Sequence, residues 1–368
     1  MSQRFLRCPH CGLPHAEAAL ACPTSGRPIE RPKPTTAPPP ARESARPPAP
    51  TPGPAARAGS TPAPSEPPPD ARRLIGTVVD GVYSIGALIG RGGMATIYEA
   101  EQLVLGRKVA LKVLPVERSD APEAQRRFLR EARAASVLNH PNICQVFDFG
   151  ALPDGRPYFT MERLYGETLG ERIEREGALP FFEVIDIVIQ ALAGLGAAHK
   201  KGIIHRDVKP ENVFLVAREG KPAFVKLLDF GVAKAQPADD APPSDDTTQI
   251  TRTGVVMGTP YYMAPEQALG DRHFDPRVDL WSCGVLLYEA VTGKRPFGAT
   301  THHALLQAII SDRPHRVTEL RPGAPGELEL VIDKALEKDR ERRYQTAVEF
   351  IGDLQRVRER LVRRAQPV

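Results

Sequence analysis

The octapeptide His205-Arg206-Asp207-Val208-Lys209-Pro210-Glu211-Asn212 constrains this chain more than any other stretch. It follows the apolar, helix-patterned run Phe181–Lys201. A solvated loop holds such charges only by accident. In this order they do separable chemical work. Asp207 can orient a hydroxyl and accept its proton. Lys209 can neutralise a transferring anion, and Asn212 can reach a metal on the same substrate. Asp229-Phe230-Gly231 comes 17 residues after Asn212, behind the apolar strand-like Val225-Lys226-Leu227-Leu228. A carboxylate at the end of a buried strand is a good Mg²⁺ ligand.

Upstream the chain is punctuated differently. Of its 38 prolines, 15 fall in residues 31–70, a Pro/Ala/Arg-rich stretch with too few large apolar residues to offset the entropy of ordering. Residues 31–70 are therefore expected to be a semi-extended tether. It separates a Cys/His segment, residues 1–30, from a folded block at 83–361. In that block IGALIG, ATIYEAEQ and RKVALKVLPV read as strands, and Pro122–Leu138 carries helical spacing at Phe128, Leu129, Ala132, Ala135 and Leu138. Helical patterns dominate after Gly166. The expectation is an α+β fold with a small β-rich lobe and a larger helical lobe.

Gly90-Arg91-Gly92-Gly93-Met94-Ala95-Thr96-Ile97 lies between two strand patterns. Glycines let a backbone approach phosphate closely and aim N–H groups at it; taken alone, a tight hairpin explains them equally well. Lys112, in Val109-Ala110-Leu111-Lys112, is a lone cation among apolar neighbours, facing either solvent or a fixed anion. The tripeptide Asp148-Phe149-Gly150 duplicates Asp229-Phe230-Gly231 but precedes the helical lobe. Asp148 is therefore read as a structural turn residue.

In this order the motifs GRGGMATIYEA, VALKVL, RFLREA, HRDVKPENV, DFGVAK and GTPYYMAPEQ resemble the protein kinase superfamily, and within it the bacterial eukaryote-like Ser/Thr protein kinases. The resemblance covers residues 83–361 and implies a bilobal kinase fold, ATP and Mg²⁺ as cofactors, and protein substrates. It implies that Gly90, Gly92 and Gly93 cover the phosphates, with Ala95 where the third glycine of the loop would stand, and that Ile97 and Ala110 belong to the nucleotide site. Lys112 would hold the α/β-phosphates and pair with Glu131 of RFLREA. Met161 resembles a gatekeeper, and Glu162–Leu164 the adenine-binding hinge. Asp207 would be the base, Lys209 the phosphate stabiliser, and Asn212 and Asp229 the Mg²⁺ ligands. Lys209, two residues after the base, resembles the Ser/Thr class.

The resemblance also implies a switch. Arg206 would pair with a phosphorylated residue of the long segment 229–266, and Thr251 and Thr253 are the expected phosphosites, with Thr247 and Thr248 behind them. Asp245 and Asp246 could mimic phosphate before activation. Thr259 would touch Asp207 and Lys209, Glu266 would pair with Arg343, and Asp279 would brace the backbone at 205–206.

Cys8-Pro-His-Cys11-Gly and Cys22-Pro-Thr-Ser25-Gly resemble the two knuckles of a zinc ribbon, with Ser25 where a fourth cysteine would stand. Cys8, Cys11 and Cys22 are thus candidate Zn²⁺ ligands; the bland reading is a segment with reduced thiols. If metallated, the knuckle would dock a partner protein or the kinase lobe, and the Pro-rich stretch could itself engage a recognition module. Cys144 and Cys283 read as packed thiols. The basic run Arg356–Arg364 reads as the surface of a last helix.

Charge and hydropathy narrow the classes further. Forty-nine Lys+Arg against 45 Asp+Glu leave +4, without the clustered surplus of a nucleic-acid binder. The most apolar stretch, Val184–Ala198, is interrupted by Asp186 and Gln190, short of the ~18 apolar residues of a membrane span. No apolar leader pattern opens the sequence and the cysteines form no disulfide framework, so a reducing cytoplasm is expected. The competing readings are a catalytically weak signalling scaffold and a kinase for a small molecule; a zinc-dependent enzyme is remote.

Overall fold

The computed structural model describes residues 73–92, 95–119, 121–220, 222–230, 260–271 and 274–365, together with two short strands, β1 (Phe5–Arg7) and β2 (Pro14–Ala16), which pair antiparallel. The calls on Cys8, Cys11, Cys22, Gly93, Thr251, Thr253, Thr259 and the 31–70 tether lie outside these residues.

A six-stranded antiparallel sheet forms the first lobe. Its strands are β3 (Val78–Val79), β4 (Tyr83–Arg91), β5 (Thr96–Gln102), β6 (Arg107–Val113), β7 (Val146–Ala151) and β8 (Pro157–Glu162), in the order β3-β4-β5-β6-β8-β7. One face carries Tyr83, Ile85, Tyr98, Val109, Leu111 and Tyr158 into an apolar cluster. The other receives α1 (Pro122–Ser136), whose Phe128, Ala132 and Ala135 recur at i, i+4 and i+7 and are buried. Phe128 meets Phe159 of β8 with ring centroids 5.0 Å apart.

The second lobe is helical, with a small sheet of β9 (Gly166–Thr168), β10 (Val213–Val216) and β11 (Phe224–Leu227) at its edge. Its first helix, α2 (Leu169–Glu176), opens with a capping box. Thr168 Oγ1 accepts the Glu171 N–H at 3.1 Å, and Glu171 Oε2 accepts the Thr168 N–H at 2.7 Å. Next, α3 (Phe181–His199) buries residues on most of its circumference, as a helix apolar nearly all round must. It is the one helix among the described residues apolar and long enough to cross a bilayer, and it packs within the lobe's core.

After α4 (Pro265–Ala268), α5 (Arg277–Thr292) runs through the centre of that core and stops at Gly293, which takes the left-handed conformation (φ 71°) that glycine reaches without strain. Helices α6 (His302–Ser311), α7 (Val317–Leu320), α8 (Gly326–Ala335) and α9 (Ala347–Ala365) complete the lobe. The arginines of the basic run lie on α9 and find carboxylates: Arg358 pairs with Asp186 of α3 at 2.6 Å, and Arg364 with Glu327 at 2.9 Å. Cys144 and Cys283 are buried free thiols, and burial pushes the pKa of both up.

Asp148 is not a turn residue. It lies within β7 opposite Thr160, beyond a register shift, and its Oδ2 accepts the Tyr83 hydroxyl at 3.2 Å. The strand runs on through the tripeptide because the ladder with β8 continues to Ala151.

Candidate active site

Backbone register brings the two acidic motifs together. Val213 faces Leu227 across β10 and β11, and the Leu228 N–H donates to the Asn212 carbonyl at 2.9 Å. Asn212, just before β10, therefore sits across from the residue that precedes Asp229. Asp229 has φ 46°, a conformation costly for a non-glycine residue and held by its surroundings.

Lys112 reaches this place from β6. Its Nζ lies 2.8 Å from Glu131 Oε1 and 2.6 Å from Asp229 Oδ1, and its side chain is 5% exposed. Burial works against the ammonium, but the two carboxylates outweigh it and hold its pKa above the ordinary value. Asp229 is held below the usual carboxylate range: desolvation opposes ionisation and the Lys112 ammonium prevails. Burial pushes Glu131 up to about 7, against the pull of Lys112. With both acids ionised, two carboxylates share one ammonium, and the excess negative charge suits a divalent cation.

Asp207, Lys209 and Asn212 converge below. Asp207 Oδ2 accepts from Lys209 Nζ at 2.9 Å and from Asn212 Nδ2 at 3.2 Å; the same amide donates to the Asp207 carbonyl at 2.8 Å. Asp279, 0% exposed near the start of α5, accepts the His205 and Arg206 N–H groups at 2.8 Å each and lies 2.7 Å from His199 Nε2. This brace holds Arg206 at φ 64°, in the left-handed region that a non-glycine residue rarely adopts. The Arg206 guanidinium lies over Phe274, 5.6 Å from the ring centroid, and has no carboxylate partner among the described residues.

His205 was not singled out by its chemistry in the sequence. Its Nε2–H donates to the Leu228 carbonyl at 2.9 Å and its Nδ1 faces the Asp207 N–H at 3.3 Å, so the neutral ring spans both motifs. Burial lowers its pKa below the ordinary 6.5, against the pull of Asp279. The unfolded chain therefore takes up the extra proton first, and this contribution to stability, full above pH 6.5, is lost as the pH falls below it. A His205→Phe variant is expected to lack the loss. Relative to wild type its unfolding free energy should rise by up to about 1.4 kcal/mol per pH unit below 6.5. Urea unfolding at pH 7.5 and 5.5 measures this; parallel pH profiles would refute it.

Ala95, Ile97, Ala110, Met161 and Leu164 fall into one apolar cluster with Leu228, which the motifs did not mark. Met161 lies opposite Ala110 in the ladder. The Glu162 side chain is structural: Oε1 accepts the Gln145 N–H at 2.8 Å and Lys226 Nζ at 2.7 Å. Gly90 and Gly92 flank the β4–β5 turn. A methyl group built on either would lie 3.7 Å or more from any neighbour. Packing therefore does not demand glycine there, and the missing side chains leave room for a ligand to approach the backbone. Glu266 and Arg343 form a buried two-pronged pair, at 2.9 and 3.1 Å.

A β-sheet lobe over a helical lobe, with Lys112, Glu131, Asp207, Asn212 and Asp229 gathered between them, defines a kinase-type phosphotransferase fold. The protein kinase domain family matches residues 83–352, and the chain belongs to that family. It is 40% identical over 290 residues to the serine/threonine-protein kinase pkn3 of Myxococcus xanthus, covering 78% of this chain and 52% of that protein. Against the serine/threonine-protein kinase PknB of Mycobacterium leprae it is 38% identical over 278 residues, covering 75% and 43%. The chain thus spans about half, or less, of the length of these relatives. Among solved structures, the Mycobacterium tuberculosis PknI kinase domain superposes with a TM-score of 0.58 at 26% identity, covering 76% of this chain and 98% of that one.

Proposed function

We propose that the chain is a serine/threonine protein kinase that transfers the γ-phosphoryl group of ATP to protein hydroxyls. The observation that carries this reading is the Asp207–Lys209–Asn212 cluster, tied through His205 and Leu228 to the Lys112–Glu131–Asp229 triad. Asp207 orients the acceptor hydroxyl and takes its proton as the hydroxyl oxygen bonds the γ-phosphorus and the bond to the β-phosphate oxygen breaks, releasing ADP. Lys209 stabilises charge on the transferring group, and Lys112, fixed by Glu131, holds the α/β-phosphates. Asn212 and Asp229 offer the hard oxygen donors that Mg²⁺ prefers, and the excess negative charge fits it. Bound there, the ion neutralises charge on the phosphate oxygens.

Lys209 and the printed names of the relatives favour Ser/Thr acceptors. Regulation follows from Arg206: phosphate on Thr251 or Thr253 would give its guanidinium an anion. The test is labelled ATP with Mg²⁺, with and without a generic acceptor protein, beside an Asp207→Asn control. Label on Thr251, Thr253 or the acceptor in wild type alone supports the reading. Label on a metabolite alone replaces it with a small-molecule kinase. ATP binding without turnover, even with candidate activators added, replaces it with a scaffold.

Zinc at Cys8, Cys11 and Cys22 belongs to the same proposal, with a docking role for the segment towards a partner protein. Support comes from the sequence, in which Cys8 and Cys11 fall between Phe5–Arg7 and Pro14–Ala16, the segments that pair as β1 and β2. The isolated chain is expected to carry about one zinc per molecule, lost on Cys8→Ser; metal analysis without zinc in wild type would remove it. The free thiols Cys144 and Cys283 support a reducing, cytoplasmic setting as part of this reading.

A further inference from the structure

The outer face of α1 is an arginine stripe. Arg126, Arg130 and Arg133 stand at i, i+4 and i+7, on the side opposite buried Phe128, Ala132 and Ala135. All three are exposed, and none makes an ion pair or a side-chain hydrogen bond among the described residues. The helix's own acids are engaged elsewhere: Glu123 pairs with Arg127, and Glu131 with Lys112. Three cations in a row on the helix that positions Glu131 leave a face that repels itself unless an anion covers it.

The chain carries a matching anion. Residues 238–249 hold Asp239, Asp240, Asp245 and Asp246 and no Lys or Arg. Phe230 and Asp229, nine or more residues before Asp239, line one cavity with Glu131 and Ala135 of α1. Asp239 follows Phe230 by nine residues, a reach of about 30 Å, against a helix thickness of about 10–12 Å. The reach exceeds the thickness of the helix.

We propose that the aspartate tract 239–246 docks on Arg126, Arg130 and Arg133, and so holds from outside the helix whose inner face presents Glu131 to Lys112. The contact is intramolecular and electrostatic. It stands on the placement of α1, not on the autophosphorylation proposed above. Salt screens exposed pairs, so docking is a low-salt state.

The experiment uses the full chain with Asp207→Asn, so that no phosphate enters the segment and failure of phosphoryl transfer leaves the readout intact. Thermolysin cleaves before apolar residues such as Ile250 and Val255, just beyond the tract. At 50 mM salt the segment is expected to be cut about 5- to 30-fold more slowly than at 500 mM, the combined effect of three exposed ion pairs. Reversing the arginines alone (Arg126→Asp, Arg130→Asp, Arg133→Asp) or the aspartates alone (Asp239→Arg, Asp240→Arg, Asp245→Arg, Asp246→Arg) is expected to abolish the protection. Combining both sets restores it. The stripe is exposed, so unchanged melting temperatures show that the variants fold. Equal cleavage in wild type and the single-sided reversals overturns the proposal, as does a combined variant that stays unprotected. Protection that rises with protein concentration also overturns it, since a second copy would then be the occupant.

Discussion

Asparagine at position 207 is expected to lower the rate of phosphoryl transfer by about 10²–10⁴-fold, the usual contribution of a positioned general base. The substitution removes the proton acceptor but keeps the shape. An amide oxygen can still accept from Lys209 and Asn212, the partners of Asp207 at 2.9 and 3.2 Å. The backbone brace from Asp279 is untouched, since it acts on residues 205 and 206. Nucleotide affinity should therefore change little while kcat collapses. Equilibrium ATP binding beside single-turnover kinetics separates the two. A variant that keeps a tenth or more of the wild-type rate would show that Asp207 is not the base, and a matching loss of ATP affinity would point to a collapsed loop.

Arg343→Met is expected to destabilise the helical lobe by about 3–5 kcal/mol, the cost of stranding a buried charge. Glu266 and Arg343 are 8% and 1% exposed, and Arg343 also donates to the Arg277 carbonyl at 3.0 Å and the Glu337 carbonyl at 3.2 Å. Its removal strands a largely buried carboxylate and frees three carbonyls, that of Lys338 at 3.5 Å being the third. The double variant Arg343→Met, Glu266→Met removes both charges and should recover a good part of the loss, because a packed apolar pair carries no desolvation cost. Urea unfolding of the three proteins decides the matter. Equal stabilities for the two variants would show that the lost carbonyl bonds, not the stranded carboxylate, dominate.

Much of the architecture was legible because its signals are local. The i, i+4, i+7 apolar spacing of α1 and the apolar run of α3 each predict one element from a dozen or so residues. Lys112, Glu131, Asp207, Asn212 and Asp229 were marked by short motifs in a fixed order. What escaped is set by distance along the chain. The Lys112–Asp229 contact joins residues 117 positions apart, and no spacing rule reaches that far. His205 acts through a carbonyl, and carbonyls carry no sequence signal. Asp148 was misplaced for a related reason: Asp-Phe-Gly reads as a turn, but ladder bonds from a neighbouring strand override local preference.

The contact between Lys112 and Asp229 makes ligand entry an exchange of counter-ions. The ammonium that would grip a nucleotide's phosphates is paired with the carboxylate that would grip its magnesium. Lys112, its side chain 5% exposed, is thereby spared the cost of an unpaired ion in a shielded place. Nucleotide and metal together would part the two, Lys112 holding the phosphates and Asp229 the ion. Bare nucleotide would have to displace a carboxylate with nothing to put in its stead, and bare metal would leave the ammonium with Glu131 alone. A preference for the metal–nucleotide complex over either component alone thus follows from the pairing of Lys112 with Asp229.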